Sequence, residues 1–180
     1  MPFMSYQASK SQAVKNAGRI MKETGAQAVK IEAGTWAAPT VKAIVMAGIP
    51  VMGHIGTMPQ SVNRYGGYLV SAADDKGKKE LVEDARAIEA AGAFCIVMEK
   101  VKSEAAVQVT KILSIPTIGI GAGPSCDGQV LVTYDLLGFF EEFNPKFVKK
   151  YDNMSTRAIK AMKKFAMEVK SGKFPGQRKY

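Results

Sequence analysis

Apolar residues recur along this chain in two alternating patterns, one helical and one made of short unbroken runs. Over residues 12–23, Ala13, Ala17, Ile20 and Met21 fall three or four apart, which lines one face of a helix, and Gly25 ends it. The same spacing predicts helices over 39–47, closed by Gly48, and over 76–91, where Leu81, Val82, Ala85, Ile88 and Ala91 share a face. A further helix is predicted over 103–113, with Ser103 as its N-cap. Between these lie almost wholly apolar runs at 26–31 (interrupted by Lys30), 49–54, 93–98, 116–120 and 129–132. They are too short for helices and read as strands buried on both faces.

Five such strands alternating with helices imply a parallel sheet covered by helices, an α/β fold. A doubly wound sheet and a (β/α)8 barrel both produce this order. The polar residues favour the barrel: Lys30 with Glu32, then His54, then Glu99 all stand at strand C-terminal ends, followed by a loop of small residues at 119–123. Side chains collected from the tops of successive strands are the mark of a barrel's catalytic face. A barrel takes about 250 residues and eight strands. The expectation is therefore a single domain over 1–180, an incomplete barrel of about five parallel strands with covering helices and a C-terminal amphipathic helix.

Composition narrows the function. Hydrophobic residues make up 47% and charged residues 23%, as in ordinary globular domains. No apolar run reaches the length of a membrane span and the first residues show no signal-peptide pattern, so the expected setting is cytoplasmic, with no membrane partner. Cys95 and Cys126 lack metal-ligand spacing, and Cys95 lies in an apolar run as a small core residue. The net charge of +9 is concentrated at 146–179, which raises the question of nucleic acid. There, however, Ile159, Met162, Phe165, Ala166 and Val169 recur at helical spacing, with Lys160, Lys163, Lys164 and Lys170 largely opposite. That reads as a helix docked on a core with a solvated basic side, and no nucleic-acid partner is expected.

Four residues carry the candidate chemistry. Lys30 and Glu32, two apart on a strand, share a face; they form either a structural ion pair or a site in which Lys30 meets an anionic substrate group and Glu32 serves a divalent cation. His54, the sole histidine, lies in Gly53-His54-Ile55-Gly56, flanked by glycines that would leave its ring open; a hydrogen-bonded structural histidine is the plainer reading. Glu99 follows the apolar run 95–98, where lost hydration suits a general base, unless it lies in water paired with Lys100 or Lys102. Gly119, Gly121 and Gly123 could let backbone N–H groups approach a ligand, or could merely permit a tight strand exit. Together these groups suit proton abstraction beside a carbonyl with metal stabilisation of the enolate.

Several separated segments in order resemble the ketopantoate hydroxymethyltransferase family: Pro2 to Tyr6, Val29 to Gly34, Gly53 to Gly56 with Pro59 and Gln60, Asn63 with Gly66, Gly67 and Tyr68, 119–123 with 127–132, and 171–176. The resemblance implies a (β/α)8 barrel that moves a hydroxymethyl group from 5,10-methylenetetrahydrofolate to 3-methyl-2-oxobutanoate, giving 2-dehydropantoate, with Mg2+ as cofactor and a homo-oligomeric state. It assigns Glu99 as catalytic base, Lys30 and His54 to substrate and Glu32 to the metal. It also implies three upstream strand–helix units, which hold two metal-binding aspartates and a substrate-binding serine. The 180 residues alone are therefore expected to be inactive. The alternative is a non-catalytic remnant, or one part of a split barrel that pairs with another chain. Met58, Lys100, Lys102 and the pair Ser71-Ala72 depart from the family pattern.

Overall fold

The computed structural model describes residues 1–67, 70–140 and 145–176. Tyr68 and the last basic residues, through Lys179, lie outside the described residues. Five parallel strands form one sheet: β1 (Val29–Glu32), β2 (Val51–Gly56), β3 (Cys95–Glu99), β4 (Thr117–Ile120) and β5 (Gly128–Gln129), in the order β1-β2-β3-β4-β5. Each strand pairs with the next one in the chain, and the order never reverses. A doubly wound sheet needs such a reversal; a barrel does not. The winding is thus that of a barrel, while the sheet itself is open, with β1 and β5 at its edges.

The helices are α1 (Lys10–Thr24), α2 (Ala38–Met46), α3 (Val62–Tyr65), α4 (Asp75–Ala90) and α5 (Ser103–Ile112), with a 3-10 turn at Thr35–Ala37. α1 starts where Ser9 accepts the Gln12 N–H and stops at Gly25 in the left-handed conformation. α4 begins a residue earlier than its apolar period suggests, because Asp74 caps the Gly77 N–H. Ser103 is not a cap: it is the first residue of α5, and Lys102 occupies the cap position without a side-chain bond. The last strand is shorter than its apolar run; only Gly128 and Gln129 pair, and Val130 and Val132 are exposed.

One face of the sheet makes the core. Ile31, Val51, Ile55, Ile96 and Met98 pack with Val41 and Ile44 of α2, Leu81, Ala85 and Ile88 of α4, and Ala105 and Val109 of α5. Strand alternation sends Lys30, Glu32, His54 and Glu99 to the opposite face.

The chain divides into two compact units, Met1–Val130 and Leu131–Tyr180. In the second, α6 (Thr133–Leu136) and α7 (Met154–Lys170) are linked by backbone bonds from Tyr151 to Leu136 and from Met154 to Leu137. Within this unit Ile159, Met162, Phe165 and Val169 are exposed, and α7 has no buried residue. Helical period fixed which residues share a face, and nothing in it specifies what covers that face.

Candidate active site

Three adjacent strands bring three side chains into a row. Register pairs Glu32 of β1 with His54 of β2, and Gly56 of β2 with Glu99 of β3. Lys30 Nζ lies 3.3 Å from His54 Nδ1, and His54 Nε2 lies 3.2 Å from Glu99 Oε2. An ammonium can only donate, so Nδ1 accepts and the ring proton sits on Nε2, facing the Glu99 carboxylate. That Nε2 is fully buried and badly aligned for a hydrogen bond to the carboxylate, which leaves it without a proper partner. A buried orphaned donor costs stability and invites a polar ligand. Glu99 keeps 22% of its side chain accessible, so a reactant can reach it.

The glycines around His54 do not open its ring. His54 is only 2% exposed. A Cβ at Gly53 would stand 2.5 Å from Ile88 Cγ2, so this glycine lets α4 settle on β2. Gly56 has φ 93°, and a Cβ there would meet the Glu99 carbonyl at 2.5 Å. Gly53 therefore serves the seating of α4 on β2, and Gly56 the close approach of β2 to β3. The 119–123 loop is similar: Cys126 and Gln129 fill the space at Gly119, and Ser103 fills that at Gly123. Its close approaches are to the chain's own atoms, as in the plainer reading of that loop.

Glu32 and Lys30 do not pair with each other within ion-pair distance among the described residues. Both Glu32 carboxylate oxygens instead accept the Gln60 backbone N–H, at 3.0 and 3.2 Å. Beneath them lies a support that sequence reading missed. The Tyr6 hydroxyl accepts the Glu32 N–H at 3.2 Å and donates to Gln60 Oε1 at 3.2 Å, while Gln60 Nε2 donates to the Met1 carbonyl at 3.0 Å. Tyr6 is 1% exposed, and burial, reinforced by the Glu32 charge, pushes its phenol up to about 12. The Met1 ammonium donates to the Lys30 carbonyl; burial first, and Lys30 next, hold it below the usual range, against the pull of Glu32. The only sequence signal for this support was that Tyr6 and Gln60 both sit inside the motif segments.

Does this set fit a magnesium ion? Magnesium takes one or two carboxylates plus waters and substrate oxygens. Glu32 offers one carboxylate, and among the described residues no three His, Cys, Asp or Glu side chains gather to hold a metal. These residues do not make a magnesium centre by themselves.

The ketopantoate hydroxymethyltransferase family model matches residues 1–177. Curated relatives named 3-methyl-2-oxobutanoate hydroxymethyltransferase include the protein of Syntrophomonas wolfei, 55% identical over 98% of this chain and 64% of its own length. Those of Chlorobaculum tepidum and Enterococcus faecalis are 52% and 54% identical, each over 98% of this chain and 64% of their own length. The chain thus spans just under two thirds of these relatives. No helix among the described residues is long and apolar enough to cross a membrane.

Proposed function

Because this chain belongs to the ketopantoate hydroxymethyltransferase family, we propose that it takes part in hydroxymethyl transfer from 5,10-methylenetetrahydrofolate to 3-methyl-2-oxobutanoate, giving 2-dehydropantoate for pantothenate synthesis. The observation that carries the reading is the Lys30–His54–Glu99 row on the sheet face opposite the helices. Lys30 holds the oxo-acid carboxylate. Glu99 takes the C3 proton: the C–H electron pair becomes the enolate, and the proton rests on a Glu99 oxygen. His54 Nε2–H, fixed as a donor by Lys30, finds its hydrogen-bond partner in the reactants. Water adds to the one-carbon unit and both of its bonds to the two carrier nitrogens break, the water's two protons ending on those nitrogens. The enolate carbon forms its bond to the freed carbon, and the oxygen left from water takes the proton held on Glu99 to become the hydroxyl.

Glu32 is the one carboxylate these residues offer to a magnesium ion, and no step above is routed through one. Proton removal is accordingly a property of these 180 residues, while complete turnover needs further ligands. Homo-oligomeric assembly and a cytoplasmic setting belong to the same reading. The test is complementation. The chain alone should form no 2-dehydropantoate from both substrates with magnesium, and should do so when mixed with the N-terminal third of the Syntrophomonas wolfei relative. Product from neither sample would favour a non-catalytic remnant. Robust turnover by the chain alone would show that these residues complete the metal site differently.

A further inference from the structure

Past Glu99 the chain takes a step that a strand would not. Residues two apart on an extended strand share a face, so a continued β3 would carry residue 101 to the side of the sheet that holds Glu99. Val101 is instead 3% exposed in the helix-side core, while Glu99 faces His54. The residue between them makes the difference. Lys100 has φ 50°, in the left-handed region that residues with a Cβ enter at a cost. Gly56 of β2 leaves the room this requires, since a Cβ there would stand 2.6 Å from Val101 Cγ2.

Backbone hydrogen bonds hold the step on several sides. The Lys100 N–H donates to the Ile120 carbonyl of β4 at 2.8 Å, and the Glu99 carbonyl accepts the Thr57 N–H at 2.8 Å. Ser71, between α3 and α4, donates its N–H to the Lys100 carbonyl at 2.9 Å and accepts the Lys102 N–H at 3.2 Å. Its neighbour Ala72 is buried in the core and has φ 56°. Among the described residues the non-glycine positions with left-handed backbone are Met4, Ala72 and Lys100, so two of the three meet at this clasp beside the proposed base. Strained backbone persists where its surroundings over-determine it, and such places cluster where a group must be held still.

We propose that the left-handed turn at Lys100 and its clasp at Ser71 position Glu99 for removal of the substrate proton. They fix the backbone from which the carboxylate reaches toward His54. This rests on the reading of Glu99 as the base and adds what aims it. The test is C3-proton exchange of 3-methyl-2-oxobutanoate in deuterated water by the 180-residue chain, followed against oxo-acid concentration to separate kcat from KM. Lys100→Val and Lys100→Gly both remove the ammonium, but a β-branched residue resists the left-handed region and glycine enters it freely. Lys100→Val should lower kcat at least about tenfold with little change in KM, since a displacement of about 1 Å can cost about a hundredfold. Lys100→Gly should keep most of the wild-type rate. Ser71→Pro removes the donor to the Lys100 carbonyl and should lower kcat as Lys100→Val does. Circular dichroism checks that each variant is folded; if Lys100→Val is not, Ser71→Pro carries the test. Equal rates in Lys100→Val and Lys100→Gly, both high or both low, overturn the proposal, as does a loss that falls on KM. If Glu99→Gln abolishes exchange while folded Lys100→Val and Ser71→Pro match the wild type, the positioning role falls and the base reading stands. Exchange by Glu99→Gln at the wild-type rate overturns both.

Discussion

Tyr6→Phe removes one oxygen from the base of the Glu32 support and leaves the ring packing alone. The Glu32 N–H then loses its acceptor in a buried setting, while Gln60 Oε1 keeps the Gln7 Nε2 donor at 3.3 Å. An orphaned buried donor costs about 1–3 kcal/mol, and the hydroxyl's own bond contributes roughly 1 kcal/mol, so about 2–4 kcal/mol should be lost at pH 7. The alkaline arm is more diagnostic. The Tyr6 phenol is raised from 10.0 to about 12, chiefly by burial and then by the Glu32 charge. Between those values the unfolded chain releases this proton and the native state retains it, so stability falls as pH rises through the window and is intact below it. A two-unit shift corresponds to at most about 2.7 kcal/mol. The network reaches partly accessible Met1 and Gln7, so we expect about half of that. Urea denaturation of both proteins from pH 7 to pH 12 measures both effects. Tyr6→Phe should start lower and lose less above pH 10. Equal stability at pH 7, or parallel losses above pH 10, would refute the account of this support.

Two further predictions concern the row and its frame. Gly53→Ala puts a methyl 2.5 Å from the fully buried Ile88 side chain and should cost about 1–3 kcal/mol, with Ile88→Ala relieving much of it; a neutral melting temperature would mean that α4 is not seated on β2 as described. Lys30→Ala removes the donor to His54 Nδ1 and the anchor for the oxo-acid carboxylate, a charge-assisted contact of about 2–5 kcal/mol. Oxo-acid affinity should drop tenfold or more by calorimetry, and a change in stability alone would make Lys30 structural.

Much of the frame is legible in the residues. Leu81, Ala85 and Ile88 do share the buried face of α4, and the Lys30, Glu32, His54 and Glu99 side chains do gather from strand C-terminal ends on one face. Period reports direction, and direction was enough to assemble the row. Pairing at 3 Å is a different matter. Lys30 and Glu32 share a face yet choose other partners, His54 and the Gln60 N–H, because those choices depend on loops whose course no period encodes. Glycines mislead for a related reason: Gly53 and Gly123 announce a missing side chain, but only the fold shows that Ile88 and Ser103 occupy the space. Tyr6 and Gln60 lie 54 residues apart and meet beneath Glu32, a contact that local pattern cannot supply. The exposed face of α7 is the converse case, a correct amphipathic helix whose cover the period does not name.

The central claim is that Glu99 removes the C3 proton of a 2-oxo acid held at Lys30 and His54. Proton NMR of 3-methyl-2-oxobutanoate in deuterated water reads that step without the carrier or the complete transfer. The wild-type chain should exchange the C3 proton faster than buffer, and Glu99→Gln should fall to the buffer rate while still binding the oxo acid. Exchange by Glu99→Gln at the wild-type rate, or none by the folded wild-type chain, would contradict the account.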